Sequence, residues 1–521
     1  MPHNKRNNPV YVVTFPLVTE KWQEDRLNRF LYHCACLYNK AQGIIMSIYK
    51  ELTETPEWQE MEAIKDKDKQ YEERNKILKN YVKTVQIQDL KMGKAGEFSF
   101  TEYGVTGLCS KLSKMKIGNG CTYSDVGINS MISDCIGKRV WASWCSFFYG
   151  TGKSVHKSKI KDFNGFSNRF KKNGFYGMNV NVKDKTISFD VLEMVLKFIH
   201  NENHEYERIA LESAKTSLRT VCIKREFIRG RYKFYVSLGV EGVPFDKGVK
   251  IGQGVVGIDP GVSTVTSYGQ TVKQMPMVEI QRIEKEIAKV QREMDRSRRA
   301  TNPYNYYEDG RIKPKTERKP WVRSSHYNKL LYKLRELHRR LAVKRKLIQQ
   351  EWANDLIREG DVFQIELTRI ASMAKRSESR EKDENGRFKS THRFGRSIHN
   401  YAPSQGISIL TNKVKARGGI VRQIEPHDMK ATGTDHTSNF QYTKHNLGER
   451  RVRLSDGCVL HRDGHAALNV KHAIAEEVKV KVHGKIVTKY MFKCYDKEGI
   501  DGDYEQYKIR EREAYKNGSL K

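Results

Sequence analysis

Three carboxylates, far apart in the sequence, stand where predicted strands and helices begin or end. Asp259 closes the apolar run 255–258 and precedes a Pro-Gly turn, Glu366 closes a second short apolar run, and Asp463 precedes a helix predicted from residue 464. Carboxylates within about 4–6 Å of one another raise each other's pKa unless a cation neutralises them. Mg²⁺ suits such a set, because it prefers hard oxygen ligands and keeps positions open for water and phosphate.

These three acids predict a phosphodiester-cleaving site. Two Mg²⁺ ions about 3.5–4 Å apart activate a water molecule and stabilise the leaving oxygen in such hydrolysis. We therefore predict Asp259, Glu366 and Asp463 as the catalytic residues and as the ligands of two Mg²⁺ ions. Ordinary structural explanations stay open for two of them, since Asp259 could be a turn residue and Asp463 a helix N-cap. Glu366 is harder to explain in this way, because a carboxylate at the end of an apolar strand is costly to bury unless something binds it.

The charge of the chain indicates a polyanionic partner. The 521 residues suit two to four domains, and 95 Lys and Arg against 62 Asp and Glu give a net charge of +33 at pH 7. A surface this basic attracts nucleic acid over long range. A membrane surface is the other polyanion that would suit it, but the sequence contains no amphipathic helix with a lysine face and a continuous apolar face. We therefore predict nucleic acid, and no membrane, as the partner.

Cysteine usage and the N-terminus indicate a reducing compartment. The nine cysteines are odd in number and scattered, and no CxxC occurs, which favours free thiols. Residues 1–8 are polar and basic without an apolar core, and no stretch of the sequence reaches the length of a membrane span. The sequence therefore predicts a cytoplasmic, nucleoid-associated protein, encoded by a bacterium or a phage.

Hydrophobic periodicity changes along the first half of the chain. Residues 10–15 predict a strand, and 27–48 and 128–148 predict amphipathic helices with apolar residues three or four apart. Beyond residue 150 the period shifts toward two, and 217–240 predicts two strands around an Arg229-Gly230 turn. We predict that the first strand joins this β-region in one sheet, with the helical block inserted between them.

The second half alternates strands with helices. Residues 252–269 predict a strand, a turn and a second strand, and a basic, aromatic loop separates two long predicted helices at 277–299 and 327–358. The remaining elements follow in chain order: a strand at 361–366, a polar mobile loop at 374–400, a helix at 404–416, a strand at 419–424, a helix at 464–475 and a hairpin near 478–492.

The sequence around each acid resembles a known family. GIDPGV at 257–262, IEL at 365–367 with Ser372-Met373 soon after, and RDGHAALNV at 462–470 resemble the three RuvC motifs of transposon-encoded TnpB nucleases and of miniature type V CRISPR effectors. Weaker matches extend the resemblance over about residues 10–475. The resemblance implies a multidomain α/β plus α+β fold, made of an RNase H-like RuvC nuclease domain, a β-rich wedge domain and a helical recognition lobe.

The resemblance also implies domain limits and partners. The implied domains are the first wedge strand at 1–18, the recognition lobe at 19–150, the wedge β-domain at 151–250, the RuvC domain at 251–475 with a helical hairpin insert at 277–358, and a C-terminal tail at 476–521. Members bind a guide RNA and cut target double-stranded DNA beside a short adjacent motif, with one RuvC site for both strands. Guide pairing then reads the target sequence, while the protein holds the heteroduplex backbone.

One expected feature of the family is missing. Relatives carry a zinc ribbon of two CxxC pairs after a Thr-Ser, and Thr437-Ser438 is present here. The corresponding ligand positions fall near Gln441, Lys444, Arg453 and Asp456, and Cys458 is the one cysteine of this stretch. Because these residues do not supply a tetrahedral zinc site, we predict a remodelled, zinc-free loop at 430–460. Stoichiometric zinc in elemental analysis would contradict this.

Basic residues outside the three motifs are candidates for nucleic-acid contacts. They lie in the β-region, along the second long helix and in the loop after Glu366, which in the family covers the site: Arg169, Lys171, Lys172, Arg231, Lys333, Arg339, Arg340, Lys344, Arg345, Lys375, Arg376, Arg393 and Arg396. That loop could equally be a solvated one. Tyr304, Tyr306, Tyr307 and Trp321, between the two long helices, could stack bases or simply pack their loop.

Two other functions stay open from the sequence. An RNA-guided DNA-binding repressor would keep the fold and lose the chemistry, although all three acids are present here. A guide-independent, RuvC-like structure-selective nuclease would need neither the long N-terminal region nor so much positive charge. The sequence leaves open whether the protein serves a transposon or a CRISPR system, with a slight preference for the latter, and it does not fix the oligomeric state.

Overall fold

The structure is a computed structural model that divides into two compact units. It describes residues 9–85, 96–117, 120–150, 152–169, 178–190, 192–245, 248–262, 264–367, 370–374, 394–425, 429–445, 448–482 and 485–520. One unit comprises Met1–Lys247 with Val482–Lys485, and the other Gly248–Lys481 with Ile486–Lys521. Both mix helices with β-sheet. Over the described ranges, none of the helices has both the length and the apolar character needed to cross a membrane.

The first unit combines a β-sheet with a group of helices. Its strands are β1 (Val10–Val18), β2 (Val82–Val85), β3 (Gly96–Ser99), β4 (Gly165–Arg169), β5 (Met178–Asn181), β6 (Thr186–Phe189), β7 (Met194–Phe198), β8 (Leu218–Ile228) and β9 (Arg231–Glu241). Its helices are α1 (Lys21–Thr53), α2 (Pro56–Ala63), α3 (Lys67–Asn80), α4 (Glu102–Leu112), α5 (Ser130–Tyr149) and α6 (Glu205–Ser217).

The sheet of the first unit joins the start of the chain to the later β-region. Seven strands run in the order β4-β8-β9-β1-β7-β6-β5. Val13 on β1 lies opposite Leu238 on the antiparallel strand β9, so the predicted pairing of these two segments is confirmed. Arg229 and Gly230 adopt positive φ angles of 49° and 86° between β8 and β9, which places the turn where the sequence predicted it.

Buried polar groups and aromatic rings hold the helices of the first unit together. Trp144 on α5 is 1% exposed and donates its indole N–H to the Gln42 side chain on α1 at 2.8 Å. Gln42 in turn donates to the hydroxyl of Tyr38 at 2.9 Å. These bonds satisfy polar atoms inside an apolar core, so they fix the pairing of α1 with α5.

The second unit contains the three carboxylates. Its strands are β10 (Val255–Pro260), β11 (Val265–Tyr268), β12 (Val272–Gln274), β13 (Val362–Glu366), β14 (Ile420–Ile424), β15 (Thr434–Asp435), β16 (Gln441–Tyr442), β17 (Arg451–Arg453), β18 (Val459–His461), β19 (Ala473–Val482) and β20 (Lys485–Tyr495). Its helices are α7 (Val278–Thr301), α8 (Ser325–Ile357), α9 (Ile370–Met373), α10 (Gly395–Tyr401), α11 (Pro403–Ala416), α12 (Arg462–Lys471) and α13 (Lys497–Lys516).

The main sheet of this unit is mixed. Its seven strands run in the order β12-β11-β10-β13-β14-β20-β19. β10 and β11 pair antiparallel, whereas β10, β13 and β14 are parallel neighbours and β14 continues parallel to β20. Parallel strands are usually buried on both faces, which explains the continuous apolar runs that precede Asp259 and Glu366.

The structure differs from the sequence expectations at three places. Helix α12 begins at Arg462, and its N-cap is His461, whose imidazole accepts the Gly464 N–H at 3.2 Å. Asp463 therefore lies in the first turn and is not the cap. The helix ends at Lys471, because the alternating pattern from Ala473 forms β19 instead. Residues 395–401, predicted as part of a loop, form α10, and 375–393 lie outside the described residues.

A further difference concerns residues 476–521, predicted as a C-terminal tail, which contribute a strand and a helix to the second unit. β20 joins the main sheet, with Tyr490 opposite Ile424 on β14. α13 buries Ile500, Tyr504, Tyr507, Glu511 and Ala514, which are spaced three or four residues apart along one face of the helix. That spacing was visible in the sequence and would have predicted the helix.

Candidate active site

Strand register brings Asp259 and Glu366 together. Ile258 on β10 pairs with Ile365 on the parallel strand β13, so the two acids occupy the next matching positions at the carboxyl ends of both strands. Matching positions on neighbouring parallel strands point to the same face, with backbones about 4.8 Å apart. Two short apolar runs thus end on adjacent carboxylates.

Close packing of α12 on β10 positions Asp463. A Cβ added at Gly257 would overlap the carbonyl oxygen of Ala467 and the backbone nitrogen of Lys471, so the helix backbone lies directly on the strand. Asp463 is one helical turn before Ala467, and Asp259 is two residues after Gly257. All three carboxylates consequently line one pocket of about 540 Å³. Their roles as catalytic residues and metal ligands stay a prediction.

Burial and mutual repulsion shape the charge of this pocket. Asp259 is 9% exposed, and its pKa is raised well above the usual range by burial, then by the negative charges of Glu366 and Asp463, against the opposing effect of Arg462. Burial also raises the pKa of Glu366. Two adjacent carboxylates, one buried and one half-buried, thus resist ionisation, and a divalent cation bound between them would favour their charged forms.

Asp463 is held by two arginines. Its Oδ1 accepts the Arg462 Nε at 2.9 Å and the Arg462 Nη2 at 2.8 Å, while its Oδ2 accepts the Arg450 Nη1 at 3.2 Å. Within the part of the chain that the structure describes, no three His, Cys, Asp or Glu side chains are close enough to enclose a metal ion as they stand. Asp463 would therefore have to give up an arginine to join Asp259 and Glu366 around an ion.

Positive and polar side chains line the same pocket as the carboxylates. Lys430, Lys444, His445, Arg450 and Arg462 contribute to its lining. The ammonium group of Lys430 lies 5.2 Å from the centre of the Tyr442 ring, which also lines the pocket. The three predicted motifs contained only Arg462 of these five. Cations that line the same pocket as the acids suit a substrate that carries phosphate beside a metal-dependent centre.

Helix α12 also holds the segment that bears Lys430 and Tyr442. The Asn469 side chain, fully buried, donates to the carbonyl oxygens of Ala431 at 3.0 Å and Thr434 at 2.8 Å. One turn earlier, the His465 Nε2 lies 2.8 Å from the His436 Nδ1, and both imidazoles are 2% exposed. The motif at 462–470 thus supplies Asp463 together with the polar groups that hold the segment from Lys430 to Tyr442 in place.

Residues 430–460, where the family's zinc ribbon would lie, are held together by the carboxylate of Asp435. Asp435 Oδ1 accepts the N–H of Thr437 at 2.9 Å and its hydroxyl at 2.7 Å, and Oδ2 accepts the N–H and hydroxyl of Ser455, both at 2.8 Å. Burial opposes ionisation of Asp435, but these hydrogen bonds outweigh it and lower the pKa. Asp435 therefore links the β15–β16 hairpin to the turn between β17 and β18. The absence of zinc stays a prediction.

The predicted nucleic-acid contacts fall into three groups. Five of them lie outside the described residues: Lys171, Lys172, Lys375, Arg376 and Arg393. Five are exposed: Arg169, Arg231, Lys333, Arg340 and Arg396. The other three make contacts within the protein, because Arg339 bonds Glu336, Lys344 lies 2.7 Å from Glu279, and Arg345 donates to the carbonyl oxygens of His399 and Asn400. Their role toward nucleic acid stays a prediction.

A half-buried ion cluster anchors α12 to α13, and breaking it should destabilise the second unit. Asp503 accepts from Lys471 at 2.6 Å and from the Tyr268 hydroxyl at 2.7 Å, and it lies 3.1 Å from His472. Burial opposes ionisation, but these hydrogen bonds prevail and hold the pKa of Asp503 below its ordinary value of 3.8. Asp503→Ala should lower the unfolding free energy by about 1–3 kcal/mol, because the half-buried Lys471 and the Tyr268 hydroxyl would lose their shared charged acceptor.

The same cluster predicts a dependence of stability on pH. A carboxylate with a lowered folded pKa contributes its full stability above its unfolded pKa, about 3.8, and that contribution declines as the pH falls from there toward the lower folded pKa. The difference in urea unfolding between wild type and Asp503→Ala should therefore shrink below about pH 4. A difference unchanged down to pH 2.5 would contradict an ionised Asp503 as the source of the effect.

Comparisons with known proteins find weak structural likenesses. No protein-family model and no curated protein matches this sequence. A cryo-EM structure of a Cas12f1–sgRNA–target DNA complex is similar with a TM-score of 0.43 and 11% identity, over 89% of this chain and 99% of that one. A cryo-EM structure of a CRISPR–Cas12f ternary complex is similar with a TM-score of 0.24 and 13% identity, over 86% and 82%. At these scores the functional argument rests on the site itself.

Proposed function

We propose that this chain is an RNA-guided DNA endonuclease that hydrolyses target DNA with one RuvC-type carboxylate site. The observation that carries the proposal is the meeting of Asp259, Glu366 and Asp463, each about 100 residues from the next along the chain, in one pocket that cations also line. Their motifs resemble those of TnpB and the miniature type V effectors. The net charge of +33 suits a protein that holds both a guide RNA and target double-stranded DNA.

The donor set fits Mg²⁺ in its chemistry. Asp259 and Glu366 would hold the ion, since they are adjacent carboxylates whose pKa values are raised chiefly by burial, and a bound cation would favour their charged forms. Asp463 would complete the set after exchanging an arginine. When bound, two Mg²⁺ ions would supply an activated water and stabilise the charge of the leaving oxygen.

The cations of the pocket have a distinct role in this proposal. Lys430, Lys444 and Arg450 bind and orient the phosphate beside the carboxylates, because each lines the same pocket. Arg450 and Arg462 neutralise Asp463 until substrate phosphate competes for them. Tyr442 packs on Lys430 and keeps its ammonium group on this side of the pocket.

One observation favours a second function. Asp463 has both oxygens committed to arginines, and no metal-binding triad stands assembled in the described residues. An RNA-guided DNA-binding repressor without cleavage would tolerate that arrangement, whereas a nuclease must rearrange it. The two functions share the guide RNA and target DNA and differ only in the chemistry at the three acids.

Isolation of the protein with its RNA tests the proposal. We expect a discrete RNA species to co-purify from cells that carry the native locus, and the complex to cut a plasmid that matches the variable part of that RNA. Cleavage should require Mg²⁺ and stop with EDTA. Bound RNA with target binding but no cleavage would support the repressor. Cleavage of branched DNA without any RNA would support the structure-selective nuclease instead.

A further inference from the structure

The segment that joins α7 to α8 is much longer than the connection requires. The two helices form an antiparallel hairpin, and a loop of about 2–5 residues is enough for that geometry. Here the connection runs over residues 302–324, from the C-cap of α7 to the N-cap of α8. Long loops in compact proteins usually serve a function or lack order. We call residues 296–324 the hairpin tip.

Two buried asparagines give the hairpin tip a fixed shape. The Asn302 side chain donates to the carbonyl oxygen of Val322 at 3.0 Å and accepts the N–H of Val322 at 2.7 Å. Asn305 makes the same pair of bonds with Lys319, at 3.0 and 2.8 Å. Both asparagines are 0% exposed. Each amide group takes the place of a neighbouring strand, so these bonds order a loop that otherwise contains one short 3-10 helix at Pro303–Asn305 and one bridge between Tyr306 and Ile312.

The ordered tip presents a dense array of cations. Nine Lys and Arg stand against three acids over residues 296–323. Four cations lie over aromatic rings of the tip at 5.1–5.7 Å from the ring centres: Arg298 over Trp321, Arg299 over Tyr306, Lys313 over Tyr307 and Lys319 over Tyr304. Tyr307 and Trp321 remain 41% and 38% exposed. The rings therefore pack the loop, and the stacking of bases on their exposed surface stays a prediction.

A concave surface adjoins this array. Arg296, Ser297, Thr301 and His326, together with Glu293 and Ala300, line a shallow pocket between the adjoining ends of α7 and α8. A guanidinium, two hydroxyls and an imidazole are groups that bind phosphate oxygens. The tip thus combines cations, exposed rings and a polar hollow, which are the elements that recognise nucleic acid whose bases are partly unpaired.

The length of α7 separates the tip from the carboxylates. The helix has 24 residues and begins at Val278, four residues after β12 ends. At about 1.5 Å per residue it spans about 36 Å. A nucleotide held beside Asp259 cannot also contact the tip, so the partner must extend well beyond the strand being cut.

We propose that the hairpin tip is a docking platform for the structured part of the guide RNA. The inference rests on the proposed function and names which surface holds its RNA. Target duplex offers phosphates but no free bases to the exposed rings, whereas a folded RNA offers stems beside unpaired loops. Because the tip is ordered by its own asparagines, it meets the RNA without first losing conformational entropy.

Two variants separate ordered shape from charge. The first replaces Lys315, Lys319 and Arg323 with Gln, and its matched control replaces three exposed cations of α13, Lys497, Arg512 and Lys516, with Gln. The second, Asn302→Ala with Asn305→Ala, keeps every charge and removes the clamps. The probes are a labelled stem–loop RNA and a DNA duplex of equal length, bound to the full-length protein at several salt concentrations, with circular dichroism as the check of folding.

Loss of the three tip cations should lower the slope of log K against log[salt] for the RNA by about 2, with a smaller change in the control. The clamp variant should bind the RNA about ten-fold more weakly although its charge is unchanged. Equal slope changes in tip and control variants, or an unaffected clamp variant, overturn the platform and leave the nuclease proposal intact. An effect confined to the duplex probe overturns the choice of RNA. Tip effects on RNA without any guided cleavage leave the platform standing while the proposed function fails.

Discussion

Asp259→Asn should abolish guided cleavage, by about 10³-fold or more, while RNA and target binding stay within about two-fold of wild type. Asparagine keeps the size of the side chain and removes the charge that the reaction needs. Asp259 stands beside Glu366 in the strand register. Glu366 and Asp463 are the other two described carboxylates that line the pocket, so no further one is present there to replace Asp259. The measurement compares single-turnover cleavage with binding of the same labelled target.

The same variant has a second, independent readout. Burial and two neighbouring acids raise the pKa of Asp259, which means that its ionised form destabilises the metal-free fold at neutral pH. Asp259→Asn should therefore raise the melting temperature in EDTA while it removes activity. Asp355→Asn on the exposed face of α8 makes the same chemical change and should alter neither property. Undiminished cleavage by Asp259→Asn would remove the basis for the nuclease assignment.

Gly257→Ala should disable the site through packing alone. The added methyl group would overlap the Ala467 carbonyl oxygen and the Lys471 backbone, and neither backbone atom can turn aside as a flexible side chain could. Helix α12 must then move off β10, and Asp463 moves with it. We expect a loss of about 1–3 kcal/mol in unfolding free energy, as overpacking typically costs, together with at least a ten-fold loss of cleavage.

A glycine in the first unit provides the control for that change. A Cβ at Gly107 on α4 meets nothing within 4 Å. Gly107→Ala should therefore be neutral or stabilise by up to about 1 kcal/mol, because alanine favours the helix. Cleavage and thermal unfolding measured on both variants distinguish the close approach at residue 257 from a general effect of glycine replacement. Full activity and stability in Gly257→Ala would show that α12 does not lie against β10.

Local sequence patterns predicted the strands and the strand ends at which Asp259 and Glu366 lie. The cations that line the pocket depend on tertiary contacts and were not predicted in this way. The alternation in β8 and β9 and the apolar runs before Asp259 and Glu366 are signals contained within a few residues. The pairing of Asp463 with Arg450 is different, because no spacing rule links an arginine 13 residues upstream to a helix start. Lys430 is a comparable case, since its place in the pocket depends on a backbone held by Asn469.

The α12 boundary shows a limit of another kind. A helix start was predicted near the right residue, but the cap was misplaced by two positions. Asp is a good N-cap by composition, and sequence alone does not show that His461 would accept the Gly464 N–H instead. This difference matters for the site, because as an N-cap Asp463 would accept hydrogen bonds from the backbone N–H groups of the helix. In the first turn its oxygens are free to engage arginines and, in our proposal, metal.

Placing Asp463 and Asn469 on one ten-residue helix couples two sides of the pocket mechanically. The residues are six positions apart, about 9 Å along a rigid rod. The segment that carries Lys430 is bonded to Asn469 near the C-terminal end of this helix, whereas Asp463 lies near its N-terminal end. Widening the pocket would therefore displace Asp463 together with that segment. We accordingly expect the DNA strand to enter along the pocket rather than by separating its two sides.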